Sequence, residues 1–462
     1  MYRLIVMKEF ILSVLGILAA ASGILQYISS RTKAAAVVST NPDFLKFRQL
    51  FLGPYLLSIL GDWLQGPYVY RLYSQYGFDP GQIAFLYVIG FAASALCGTF
   101  AGPLADRFGR KRACIVFCML YSVCCLTKLS PDFYWLAFGR ICGGISTSIL
   151  FSAFEAWYVC HHMDTGFPSE WISSTFSMAT FWNGVLAILA GILADVGAEW
   201  LEFGPVAPFM TAVPFLVMAG VLMATNWQEN FGSTQTNIGR SCAEGLRVIF
   251  SNEIILFLGV VQSMFESVMY IFVFIWTPVL DASNERWPLG LVFSSFMVCI
   301  MLGSSFHSLL MSKGFRPQYL LHICIITAFC SMLVCSYTTD PSAPMPVASY
   351  LAFLVLEVAI GLYFPSIGYL RSQVIPESLR ANIMNWFRLP LNVITCCVLL
   401  WLHRQEDSPN GAKSTSSGDH FVFLLCAIMS AIGVMGSYAF SNRFQDKRSF
   451  AESEKTALDE NA

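Results

Sequence analysis

Gly102-Pro103-Leu104-Ala105-Asp106-Arg107-Phe108-Gly109-Arg110-Lys111-Arg112 lies between two long apolar runs, 82–101 and 113–129. One acid and four bases in so short a stretch need water. The flanking runs, each near the ~20 residues that cross a bilayer, avoid it. The segment therefore reads as a tight, wet turn joining two membrane helices. Composition agrees: of 462 residues, 56% are hydrophobic and 12% charged, where a soluble domain carries about 25% charge. This is a polytopic membrane protein, with the lipid bilayer as its constant partner. Lys and Arg gather in alternate loops and form no face for nucleic acid.

Outward from the turn, the same length rule gives an N-terminal run at 9–29. Six spans follow near 47–70, 82–104, 113–130, 133–158, 171–196 and 205–225. After the polar stretch 226–252 come six more, near 253–280, 289–311, 319–338, 347–371, 381–402 and 420–441. The expected domains are an N-terminal anchor helix with a basic linker (1–38), a six-helix bundle (39–225) and a central cytosolic loop (226–252). A second six-helix bundle (253–445) and a disordered, charged tail (446–462) complete the chain. A faint internal repeat is visible: a shift of 204 residues lays Asp62 on Glu266 and Trp182 on Trp386. Seventeen bases fall in the loops on the side of the quoted turn and five on the other. The positive-inside rule makes that side cytosolic, with a cytosolic C-terminus. The run 9–29 reads either as a cleaved signal or as a retained signal-anchor; Gln26-Tyr27 interrupts any clean cleavage site and favours the anchor.

The fifteen cysteines fall almost wholly within apolar spans, and no spacing reads as a metal site or a disulfide framework. No nucleophile elbow, P-loop or H-E-x-x-H is present. The reading is a non-enzyme without cofactor. What remains is a set of ionisable and polar residues inside spans. Each charge costs about 2.5–3.5 kcal/mol at a helix centre and so faces a cavity or a partner. In the first bundle these are Asp62, with Gln65 at i+3 on the same face, and Arg140, followed by the small-residue stripe Gly143, Gly144, Thr147. In the second they are Gln262, Glu266 and Tyr270 at i, i+4, i+8, Glu357 mid-span, and Asn385, Arg388 and Asn392 at i, i+3, i+7. A polar stripe at helical spacing inside an apolar helix is the pattern of a cavity wall.

The turn's pattern G-x-L-A-D-R-x-G-R-K resembles the loop between helices 2 and 3 of the major facilitator superfamily. The resemblance implies an all-α fold of two six-helix bundles and alternating access. It also implies a gate role for Gly102, Asp106, Arg107, Gly109 and Arg110. Glu155, at the end of its helix, is placed to receive one of those bases, and Arg371 and Arg380, with Glu377, hold the corresponding end of the other half. The superfamily often pairs an acid in the first helix with an Arg in the fourth, which here are Asp62 and Arg140.

Several stretches are similar to one family within it, the molybdate-anion transporters, and to its animal branch in particular. They are Asp62-Trp63-Leu64-Gln65-Gly66-Pro67-Tyr68, Phe154-Glu155-Ala156-Trp157-Tyr158, Phe274-Ile275-Trp276-Thr277-Pro278, Gly361-Leu362-Tyr363-Phe364-Pro365 and Asn385-Trp386-Phe387-Arg388-Leu389-Pro390. The resemblance runs from about residue 40 to 440 and implies uptake of molybdate, a tetrahedral oxyanion, across the cell membrane. Arg140 and Arg388 would supply planar guanidinium forks suited to such an anion. Asp62, Glu266 and Glu357 would repel a dianion unless paired or protonated, and burial favours the neutral carboxyl. One of them could carry a co-transported proton. The alternatives are transport of another small solute, or a non-transporting sensor or scaffold on the same fold. A scaffold has no use for costly buried ions.

Overall fold

The computed structural model describes residues 2–32, 41–168, 170–232, 238–281, 287–376, 380–406 and 415–460. Those residues are helical throughout, apart from short turns and connections. The helices are α1 (Tyr2–Thr32), α2 (Pro42–Trp63), α3 (Val69–Gln75), α4 (Pro80–Phe108), α5 (Arg110–Thr127), α6 (Phe133–Leu150), α7 (Ala153–Asp164) and α8 (Glu170–Asp195). They continue with α9 (Ala207–Asn226), α10 (Ile238–Ser251), α11 (Glu253–Asp281), α12 (Leu289–Ser312), α13 (Pro317–Thr338), α14 (Pro346–Val374), α15 (Arg380–Glu406) and α16 (Thr415–Glu460). Local signals set several of the starts. Asn41 Oδ1 caps α2 by accepting from Asp43 N (2.9 Å) and Phe44 N (3.3 Å), ahead of Pro42 at the first helical position. Asp132 does the same for α6 through Trp135 N at 2.8 Å.

Ten helices among the described residues are long and apolar enough to cross a membrane. Three expected spans miss that standard, each for a physical reason. The span expected at 47–70 is broken: α2 ends at Trp63, a 3-10 turn covers Gly66–Tyr68, and α3 restarts at Val69. Pro67 lacks a backbone N–H and disfavours helix in the residue before it. α5 opens on three bases, and the apolar part of α15 is only Trp386–Leu402. The span expected at 133–158 also bends, at Phe151–Ser152, between α6 and α7. The tail expected to be disordered from 446 is helical as far as Glu460; its Ala, Glu, Lys and Leu are strong helix formers. Glu377 lies outside the described residues, as does most of the basic linker.

The chain forms two compact units. The first comprises Met1–Thr236, Phe274–Val298 and Cys396–Lys413. The second comprises Asn237–Val273, Cys299–Thr395 and Ser414–Ala462. In the first, Ile11, Leu15 and Ser22 of α1 are buried at a spacing that shares one helical face, and Lys8 Nζ lies 5.6 Å from the Trp200 ring centroid. α4 and α6 approach closely because Gly144 has no side chain: a Cβ there would stand 2.5 Å from Gly90 O. This is the close packing expected of the small-residue stripe. In the second unit, α12 and α14 meet the same way. A Cβ on Gly303 would stand 2.1 Å from Val358 O, and one on Gly361 would stand 2.2 Å from Ile300 O.

Backbone cannot yield as a flexible side chain does, so Gly361→Ala is expected to destabilise the protein by about 1–3 kcal/mol. Gly53→Ala, where nothing lies within 4 Å, should be neutral or slightly stabilising. Thermal unfolding of detergent-solubilised protein would compare them. Equal melting temperatures for the two variants would refute the close α12–α14 contact.

Candidate substrate site and gate

The signature turn is the best-defined polar site of the first unit. Gly109 ends α4 with φ +110°, in the region that favours glycine, and α5 begins at the next residue. Arg110 Nε donates to Asp106 Oδ1 at 2.7 Å, one helical turn back, and Arg110 Nη1 donates to Ala156 O at 3.1 Å. The base from the loop thus reaches the backbone beside Glu155 rather than its carboxylate, and Glu155 is exposed. Arg107 is exposed and lies over the Phe108 ring. Gly102 has open space around it, so its lack of a side chain is not required by packing.

A residue that the sequence reading passed over completes the turn. Glu229 Oε1 accepts from Lys111 N at 2.8 Å and Oε2 accepts from Arg112 N at 3.2 Å. These are unpaired donors of the first turn of α5, and an anion there also meets the positive end of the helix dipole. Glu229 belongs to a strap, Trp227–Gly232, laid against the turn. Trp227 stacks on Trp157 at 3.7 Å between ring centroids and 8° between planes. Trp157 Nε1 donates to Gln228 O (2.8 Å), and Asn230 Nδ2 donates to Trp157 O (3.0 Å). Arg110 N donates to Asn230 O (3.1 Å) and Gly232 N to Asp106 O (3.0 Å). A Trp and a Glu in the polar run that follows α9 were the available signal.

Deeper in the same unit, Asp62 accepts from Tyr121 OH. Arg140 Nε donates to Leu86 O at 3.1 Å, and its guanidinium carbon lies 4.7 Å from the Tyr87 centroid. Gly90 leaves room for it: a Cβ there would stand 2.8 Å from Arg140 Nη2. The expected Asp62–Arg140 pair is therefore not made, because each has a nearer partner. Gln65 Nε2 turns back to Gly61 O at 3.1 Å. Trp63 Nε1 donates to Asn183 Oδ1 at 2.7 Å, which adds Asn183 to the polar residues of the unit.

The unit closes at the ends of its helices remote from the signature turn. Arg71 Nη1 stands 3.5 Å from Glu199 Oε1 and 3.9 Å from Asp281 Oδ1, and donates to Trp287 O at 3.3 Å. Ser294 Oγ donates to Ile188 O at 2.9 Å, beside a glycine contact in which a Cβ on Gly290 would stand 2.3 Å from Gly191 O.

In the second unit the polar stripes of three helices converge. Ser263 and Ser267 on α11 donate to Phe387 O (3.2 Å) and Leu391 O (3.4 Å) on α15. Tyr363 OH on α14 donates to Glu266 Oε1 at 3.1 Å, with Phe265 stacked on Tyr363 at 4.2 Å. Arg371 Nη1 donates to Gln262 Oε1 at 3.3 Å. Arg371, expected at the gate, thus joins the polar stripe of α11, and Tyr363 is a further member. Arg388 is exposed and lies within electrostatic range of Glu266, as Arg371 does. Among the described residues the Arg388 guanidinium makes no hydrogen bond or ion pair. Asn392 Nδ2 turns back to Arg388 O at 2.9 Å. Tyr270, on the α11 stripe, is 38% exposed. Glu357 is 5% exposed and makes no described hydrogen bond. Arg380 and Asn385 lie on α15, and their side chains are outside the described residues.

A family model described as sugar transporters, 12 TM, matches residues 10–358. A molybdate-anion transporter of Takifugu rubripes is 43% identical over 449 residues, covering 92% of this chain and 93% of the relative. One of Danio rerio is 44% identical over 424 residues, covering 86% and 88%. The chain belongs to the molybdate-anion transporter family. Solved structures show the major facilitator fold. A mutant of the nucleoside transporter NupG aligns with TM-score 0.67 at 14% identity, covering 85% of this chain and 99% of that one. A D-xylose-proton symporter aligns with TM-score 0.66 at 15% identity, covering 86% and 97%. The family members found are transporters and not enzymes, and this member is a multi-pass membrane protein.

Gly109 and Glu229 touch so closely that a Cβ on Gly109 would stand 2.6 Å from the Glu229 carboxyl carbon. Gly109→Ala and Glu229→Ala should each lower the transport rate several-fold at near-normal surface abundance, as should Asp106→Asn. Uptake normalised to surface protein checks this. Wild-type rates in all three variants would reduce the turn to a topology signal.

Proposed function

We propose that this protein is a secondary active transporter taking up a tetrahedral oxyanion, molybdate, across the cell membrane. Residues 39–225 and 253–445 would be the two bundles that alternate access. Residues 102–112 and the loop 226–252 would face the cytosol, as would the C-terminus. The relatives' names support the substrate. The observation that carries the reading is Arg388: a guanidinium in an apolar helix with no described hydrogen bond or ion pair. Arg388 is exposed near the start of the apolar part of α15, so its guanidinium is open to an arriving anion, which it would engage as a bidentate fork. Gln262, Tyr270, Asn385 and Asn392 supply further donors on this reading, and Arg371 and Tyr363 hold Gln262 and Glu266 in place; in the first unit, taken by itself, Arg140 is the candidate cation. Glu357, a buried acid without a described partner, is the first candidate for a coupling proton, ahead of Asp62 and Glu266, which have phenol donors.

The description of the matched family model favours a second reading, a sugar as substrate. A neutral sugar gives no reason to keep Arg388 unpaired. Initial uptake of molybdate into cells expressing the protein, with tungstate, sulfate and xylose as competitors, separates the two. Competition by tungstate and not by xylose supports the oxyanion; the reverse overturns it. Arg388→Lys keeps the charge but loses the fork, and should raise the half-saturation concentration about tenfold. Arg388→Gln should raise it further. An unchanged half-saturation in the Lys variant would remove Arg388 from the site. Tags inserted at 102–112 and at 226–252 should be reached only after the membrane is permeabilised.

A further inference from the structure

The sequence presents Lys128 as an ordinary loop base, one residue past the end of α5. The structure buries it to 1% exposure. Its Nζ donates to Tyr73 Oη at 2.7 Å and lies 5.0 Å from the Tyr73 ring centroid. Tyr73 is itself wholly buried, and Tyr76 OH donates to the Lys128 carbonyl, fixing the backbone that carries the lysine.

A lysine after the last turn of a helix favours the negative end of the dipole. That role asks only that its ammonium stay near the helix end, and a lysine there normally extends its stem to water. Lys128 instead turns inward, although burying an ammonium costs several kcal/mol unless it is paired. No described ion pair includes it. Its partner is the Tyr73 hydroxyl.

Arg140 repeats the arrangement on the next helix. It too is in no described ion pair and lies beside a tyrosine, its guanidinium carbon 4.7 Å from the ring centroid of Tyr87, which is within electrostatic range of Tyr73. Lys128 stands at the mouth of the α5–α6 hairpin, and Arg140 lies seven residues into α6, about 10 Å along its axis. The first unit therefore holds two cations in sequence, one at the helix ends and one two turns deeper. Lys128 is held by a phenol oxygen and Arg140 by a carbonyl and a tyrosine ring, and neither is neutralised by a described carboxylate. A phenol oxygen or a tyrosine face can hold a cation without cancelling its charge. The Tyr73 phenol, accepting from Lys128, keeps its own O–H as a donor.

We propose that Lys128 and Tyr73 form an entry station for the oxyanion, ahead of Arg140. The station rests on the oxyanion reading above and deepens it. Lysine suits an entry position, since a point charge with spare donors attracts an anion without fixing its geometry, whereas the deeper arginine offers a planar fork. The station is covered in this structure, in which the Arg71 clasp joins the neighbouring helix ends.

The test is initial molybdate uptake against concentration, normalised to surface protein, in wild type, Lys128→Gln, Lys128→Arg and Tyr73→Phe. Lys128→Gln should raise the half-saturation concentration about three- to tenfold while leaving the limiting rate near wild type, and Lys128→Arg should stay close to wild type. An unchanged half-saturation in Lys128→Gln, with wild-type uptake intact, overturns the station alone. No uptake by the wild type overturns the oxyanion reading and the station with it. If Lys128→Gln fails to reach the surface, Tyr73→Phe decides, since it keeps the charge and loses one donor. A rise in its half-saturation supports the station, and no change overturns it.

Discussion

An ion within hydrocarbon must be held by something, and the penalty for failing is several kcal/mol per charge. The polar anatomy of this protein follows from that constraint. Where acids and bases share a helix end, they pair: Arg71 with Glu199 and Asp281, Arg110 with Asp106. Deeper in the helices the pattern changes. Asp62 and Glu266 take phenol donors, and Arg140 takes a carbonyl and a tyrosine face. These partners hold a charge in position without cancelling it. A transporter for a charged solute needs such groups, because a cation already neutralised by a carboxylate has less to offer an anion.

The same constraint explains which parts of the molecule were legible in the sequence. Apolar runs of bilayer length mark helices reliably because lipid leaves the backbone no alternative. The signature turn was legible because its charges cannot lie elsewhere; Gly109 was named only through the resemblance of the turn, and its positive φ came from the structure. The broken first span was less legible. Its hydrophobicity runs across Pro67, and only the backbone consequences of that proline separate α2 from α3. Pairings were the least legible. Helical spacing says which residues share a face, as with Gln262 and Glu266, but not which neighbouring helix supplies the partner. Arg371 and Tyr363 came from α14. Tyr121 displaced Arg140 as the partner of Asp62, which no periodicity on α2 or α6 alone could reveal.

Absent side chains matter as much as polar ones. α4 meets α6 through Gly144, and α12 meets α14 through Gly303 and Gly361, at distances that bring backbone against backbone. Without a hydrophobic driving force between helices in lipid, close packing of this kind is a main source of cohesion. It also fixes helix depth and rotation, and so decides where Arg140 and Glu357 come to rest.

The strap and the signature turn are built from two reciprocal seats. The Glu229 carboxylate occupies the space that a side chain on Gly109 would fill, and the Asp106 carboxyl occupies the space that one on Gly232 would fill. Each acid is therefore matched to a glycine on the other segment, more than a hundred positions away in the chain. Sequence changes at these four sites are coupled in pairs. A side chain at 109 would be compatible only with a shorter or missing one at 229, and the same holds for 232 and 106. A natural variant at any of the four has its meaning set by the residue in the opposite seat.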